Sequence, residues 1–125
     1  MNALAAAHAH LAKAQEFLQA AELEHRQGLD NATTSNAVLS GINSKDAICL
    51  KLSGRTTRSD DHAAAVGELA ATGTQGRFLA QTLKRLLAKK TKSQYQDHSV
   101  AGSEARRAIE QATKLYNAAQ QIVTS

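Results

Sequence analysis

The sequence predicts an all-α protein, and three observations carry that prediction. Alanine fills 25 of the 125 positions, proline and tryptophan are absent, and the only aromatics are Phe17, Phe78, Tyr95 and Tyr116. Ala, Leu, Gln, Lys and Arg are the strongest helix formers, whereas sheets draw on β-branched and aromatic residues. A β-sandwich or barrel is thereby excluded. The length suits one domain over residues 1–125, with a single core. That core is thin, because only 28 hydrophobic residues are larger than alanine.

The first helix is expected over Asn2 to Gln27, where Leu4, Ala7, Leu11, Ala14, Leu18 and Ala21 recur at alternating steps of three and four, the spacing of a heptad seam. Gly28 supplies a left-handed stop. The polar run from Asp30 to Asn36 reads as turn and N-cap residues, so the second helix is placed from Asn36 to Leu52, ending at Gly54. Its apolar arc holds Val38, Leu39, Ile42, Cys49 and Leu50. A third, shorter helix is capped by Ser59, with Asp60 and Asp61 at its positive end, and runs to Ala71 before Gly73. The fourth spans Gln75 to Ser93, with Phe78, Leu79, Leu83, Leu86 and Leu87 on one side. The fifth starts near Ser99 or Ser103 and carries Ala101, Ala105, Ala108, Ala112, Leu115, Ala119 and Ile122. Ile109, Tyr116 and Val123 widen that stripe.

Five helices with short connections make an up-and-down antiparallel bundle the economical arrangement. The alanine seams of the first and last helices suit close helix approach, and their width predicts apolar surface shared between two subunits of a homodimer. Cys49 is the only cysteine, which fits a reducing compartment. No apolar run approaches the roughly 18 residues of a membrane span, and the N-terminal stretch lacks a cationic n-region. A cytoplasmic protein with no membrane association is expected.

The net charge of +4 is unevenly placed. Residues 69–96 carry Arg77, Lys84, Arg85, Lys89, Lys90 and Lys92 with no acid, a local charge of +6, while residues 1–30 carry −2 and the other segments balance. At about 100° per residue, Arg77, Lys84, Arg85 and Lys92 share the face opposite the leucines, with Lys89 at its margin. Such a strip is either a solvated face or a surface for phosphates, and Tyr95 beside it offers a ring for base stacking. Two charges fall inside apolar arcs: Lys90 on the fourth helix and Asp46 on the second. A charge directed at a core must pair or reach water, and the two are expected near one another beside a polar cleft, with Lys45.

Familiar catalytic and metal motifs are missing. His8 and His10 face different sides of a helix, and His25, His62 and His98 are isolated in sequence, so no metal or other cofactor is expected. Gly73 and Gly76 lack the sequel of a phosphate loop. Cys49, in a helix stripe, reads as a small core residue.

Several stretches together resemble the HEPN domain family. They are Asn36 to Cys49, Gly54 through the basic loop to His62-Ala63-Ala64-Ala65-Val66-Gly67-Glu68-Leu69, Leu86 to Tyr95, and Ala105-Arg106-Arg107-Ala108-Ile109-Glu110-Gln111-Ala112. The resemblance implies a five-helix bundle that dimerises and acts in nucleic-acid or nucleotide transactions in prokaryotes. Many relatives are RNases, often toxins paired with a nucleotidyltransferase-like antitoxin. Their active site is an Arg followed after four to six residues by a His on the late helix. In such a pair His moves protons and Arg stabilises phosphate charge. Here Lys89 or Lys90 stands where the Arg would be, and Tyr95 where the His is expected.

The leading expectation is a dimeric binding module without catalysis, acting in a toxin–antitoxin or defence setting. Its ligand is RNA, a nucleotide or a partner protein, held by Arg85, Lys89, Lys90, Lys92 and Tyr95 with Asp46 near a cleft. The alternatives are an RNase using Arg55 or Arg58 with His62, since Arg55 and His62 have six residues between them, and a structural adaptor whose basic strip only solubilises.

Overall fold

The structure is a computed structural model that describes residues 2–57, 61–95 and 101–125, with residues 90–95 as backbone only. Its regular elements are five helices: α1 (Ala3–Arg26), α2 (Asp30–Ser53), α3 (His62–Ala70), α4 (Thr74–Tyr95) and α5 (Gly102–Thr124). No strand occurs among the described residues.

Two helix starts differ from expectation. α2 begins at Asp30, six residues before Asn36, so the α1/α2 turn is only Gln27-Gly28-Leu29. Thr33 and Thr34, read as turn formers, instead donate their hydroxyls to the carbonyls of Leu29 and Asp30 at 2.8 and 3.0 Å. That back-bonding satisfies the hydroxyl inside a helix and lets both side chains be fully buried. The cap of α3 is Asp61, whose carboxylate accepts the Ala64 N–H at 3.1 Å. Ser59 and Asp60 lie outside the described residues.

Contacts give the helix directions. Ser40 Oγ donates to the Ala14 carbonyl at 2.7 Å, and Asn36 Nδ2 donates to Glu24 Oε1, so α1 and α2 run antiparallel. Lys51 of α2 reaches the carbonyls of Val123 and Ser125 at the far end of α5, whereas Gly102 at its start lies beside Asp30. α2 and α5 are therefore parallel neighbours. α4 crosses α2 where Gly41 meets Leu83 and Leu86, and it is joined to α3 by the tight turn after Ala71.

The seams of α1 and α5 are consumed within the chain. Ala7, Leu11, Ala14, Leu18 and Ala21 of α1 pack with Ala108, Ala112, Leu115 and Ala119 of α5 in one core, joined by Val38, Ala47 and Ile48 of α2 and Leu79, Leu83, Leu86 and Leu87 of α4. Three residues placed on apolar faces are exposed instead: Leu4 in the first turn of α1, Leu39 on α2 and, above all, Phe78, which is 65% exposed. Phe78 precedes Leu79 by one residue, about 100° around the helix, and the arc facing the core begins beyond it. Ala101 likewise lies outside α5 and is exposed.

The α3/α4 turn depends on an absent side chain. A Cβ at Gly76 would collide with the backbone carbonyl of Leu69 and with Thr72 Oγ1. Gly67, inside α3, has open space at the same position. Gly76→Ala should destabilise the protein by about 1–3 kcal/mol through overpacking, whereas Gly67→Ala should stabilise it by up to about 1 kcal/mol through helix propensity. Urea unfolding of both variants checks the opposed signs.

Candidate functional site

A buried ionic node sits where α2, the following loop and α3 meet. Lys45 is 1% exposed, yet its Nζ finds three acceptors: Glu68 Oε1 on α3, Thr56 Oγ1 at 2.8 Å and Asp46 Oδ1 at 3.1 Å. Thr56 in turn donates to Asp46 Oδ1, and the Thr57 N–H and hydroxyl both donate to Glu68. On the α1 side, His10 Nδ1 donates to Asn43 Oδ1 at 2.9 Å and stands 3.8 Å from Asp46 Oδ2.

The node accounts for the charge that sequence placed inside an apolar arc. Asp46 is paired with Lys45, its sequence neighbour, and with the loop hydroxyl of Thr56. The side chain of Lys90, expected beside it, lies outside the described residues. Burial alone would lower the Lys45 pKa, but the Glu68 bond and the Asp46 charge outweigh it and hold the ammonium above its ordinary 10.5. Burial likewise opposes ionisation of Glu68, and Lys45 with the Thr57 donors reverses that, holding the carboxyl below 4.5. Cys49, beside the node, is buried, and the same burial pushes its thiol up to about 11, in keeping with an inert core residue.

A second cluster forms on the outer face of α4. Arg77, Lys84 and Arg85 are exposed, as expected. Lys89 leans toward α5 and donates to Gln111 Oε1 at 2.7 Å. Burial, then the like charge of Arg107 and more weakly that of Arg85, hold its ammonium below the ordinary 10.5, and Glu104 offsets part of this. Among the described residues neither Arg85 nor Arg107 makes an ion pair. Arg85, Lys89 and Arg107 thus form a cationic cluster across two helices.

On the other flank of that face, α3 and α4 diverge into a groove of about 380 Å³ lined by His62, Ala63, Val66, Lys84, Leu87 and Ala88. A second hollow, lined by Gln81, Lys84, Arg85 and Ala88, shares Lys84 and Ala88 with the groove. Arg55 lines a different hollow, of about 210 Å³, with Cys49, Ser53, Glu68 and Ala71. Arg55 and His62 therefore face separate spaces. Arg58 lies outside the described residues, as do the side chains of Lys92 and Tyr95. Among the described residues no group of three or more His, Cys, Asp or Glu side chains could hold a metal ion, and no helix is long and apolar enough to cross a membrane.

Sequence reasoning did not find His10, Thr56, Glu68 or Arg107. The first three acquire partners only through the tertiary fold. Arg107 was hidden because its segment is neutral overall, although its proximity to Lys89 is what matters.

Removing Lys45 strands two carboxylates in the node, so Lys45→Met should cost about 3–5 kcal/mol. The pH dependence follows from the shifts. The Glu68 contribution is present above pH 4.5 and fades as pH falls through its lower folded value, and the Lys45 contribution is present below 10.5 and fades as pH rises through its higher folded value. Denaturant midpoints of wild type and Glu68→Gln across pH 3–11 check this: the variant should lose part of the acid-side fall.

A family model for the HEPN domain matches residues 7–122. No curated protein matches the chain. A match over nearly the whole chain, on five helices in the expected order, places this protein in the HEPN domain family, helical modules of nucleic-acid transactions.

Proposed function

We propose that the chain is a non-catalytic nucleic-acid-binding module, RNA foremost, that seats a phosphate backbone on the outer face of α4 and on Arg107 of α5. The observation that carries this reading is the Arg85, Lys89 and Arg107 cluster. Among the described residues neither Arg85 nor Arg107 makes an ion pair, and the Lys89 ammonium is depressed by burial first and then by its like-charged neighbours, with Glu104 offsetting part of this. A phosphate placed among them relieves that repulsion and releases counterions. Lys90, Lys92 and Tyr95 continue the same helix and are taken to contribute to binding in this reading. The separate hollows of Arg55 and His62 count against that pairing as a catalytic one, since an Arg/His pair must reach one scissile phosphate.

The module acts as a homodimer in a toxin–antitoxin or defence setting, with a nucleotidyltransferase-like antitoxin as its partner of choice. Exposed Leu4, Leu23 and Leu39 leave apolar area for a subunit contact. Light scattering after gel filtration should return twice the 13.3 kDa chain mass. A single species at the chain mass at micromolar concentration removes the dimer.

Mobility shifts over a salt series test the binding face. Wild type should bind RNA at low salt and leave it intact, and Arg85→Glu with Arg107→Glu should weaken binding at least about tenfold. Each lost phosphate contact should also flatten the logarithmic salt slope by about 0.7 on a single strand. RNA cleavage that disappears in His62→Ala would overturn the non-catalytic reading.

A further inference from the structure

The outer face of α4 carries features that a backbone-binding surface does not need. Phe78 is 65% exposed, and it shares a face with Arg85, seven residues on, and with Gln81 between them. Seven residues of helix return to nearly the same angle, about 10 Å further along the axis. The groove between α3 and α4 is lined by buried Leu87, half-buried Val66 and His62, and exposed Ala63, Ala88 and Lys84. Its volume of about 380 Å³ lies near the lower end of small-ligand pockets, which suits one planar ring system better than the face of a docking helix. Lys84 and Ala88 also line the hollow that holds Arg85, so the groove and the cations form a continuous surface.

We infer that this surface reads single-stranded nucleic acid by its unpaired bases: one base enters the α3/α4 groove, another stacks on Phe78, and Lys84 and Arg85 hold the intervening phosphates. The inference rests on the binding face proposed above and adds the kind of nucleic acid. A duplex keeps its ring faces stacked and offers only phosphate and groove edges, for which an exposed phenyl and an apolar slot have no use. A single strand offers both ring faces and charge, and aromatic platforms interleaved with cations are the means by which such strands are held. An acidic peptide would match the charge. It has no flat apolar group in regular alternation with it, whereas the groove and Phe78 supply two ring-sized apolar surfaces separated by cations.

The test uses the full chain and three labelled probes in fluorescence anisotropy: a 12-nucleotide single-stranded RNA, the same sequence as duplex, and polyglutamate. A 2-aminopurine version of the single strand reports base stacking. Wild type should prefer the single strand to the duplex by at least about tenfold and quench the 2-aminopurine. Phe78→Ala should weaken single-strand binding roughly tenfold, the effect of losing one base–aromatic stack, with Phe78→Trp restoring it. Ala63→Leu with Ala88→Leu, at exposed helix positions, narrows the groove without touching the core. It should cause a similar loss on the single strand and leave duplex binding unchanged. Equal affinity for the three probes, or single-strand binding indifferent to both sets of variants, overturns the base-reading proposal. If Arg85→Glu still abolishes binding in that case, the phosphate-binding face survives. If Arg85→Glu changes nothing, the binding face itself is wrong.

Discussion

A single buried ammonium organises one side of this molecule. Lys45 points inward from the central helix, and a charge there is tolerable only if it is fully bonded. Glu68, Thr56 and Asp46 provide that bonding, and they come from α3, the loop and α2 itself. Satisfying one charge therefore fixes the position of a nine-residue helix that has a single buried residue, Leu69, of its own. The groove between α3 and α4 depends on that tie, because α3 forms one of its walls. Hydrogen bonds from Thr57 to Glu68 extend the same tie along the loop.

The rest of the bundle is held by small residues. Alanine seams on α1 and α5 and Gly41 on α2 let the helix axes approach closely, and leucines of α4 fill the remaining space. A leucine-lined inner arc leaves the outer arc of α4 to Phe78, Gln81, Lys84, Arg85 and Ala88. The thin core thus has a functional consequence. With few large side chains to spare, α4 contributes one face to packing, and its opposite face is left to cations, of which Arg85 makes no ion pair among the described residues. The pairing of Lys89 with Gln111 then brings Arg107 of α5 to the edge of that face.

The helices and most of the core were legible in the sequence because both are periodic. The α1 seam is buried as expected from Ala7 to Ala21, and the α5 stripe from Ala105 to Ala119. Asp46 was legible as an anomaly, a charge in an apolar arc with Lys45 beside it, though the partners that complete the node were not. A helical wheel shows which face a residue takes but not which loop folds over it, so Thr56 and Glu68 were invisible. Thr33 and Thr34 misled because their hydroxyls suit a turn and a helix alike, and burial decided between the two. Phe78 misled by hydrophobicity: its type says core, its angle says edge. Arg107 escaped because charge was counted along the chain, whereas the field at Lys89 is set by distance in space.

The dependence of α3 on the Lys45 node is the central claim, and native-state hydrogen exchange of wild type and Lys45→Met measures it most directly. The account predicts that amides of residues 62–70 lose protection in the variant by a far larger factor than those in the middle of α1, α2 and α5. Uniform loss across all five helices, or unchanged protection in α3, would contradict it.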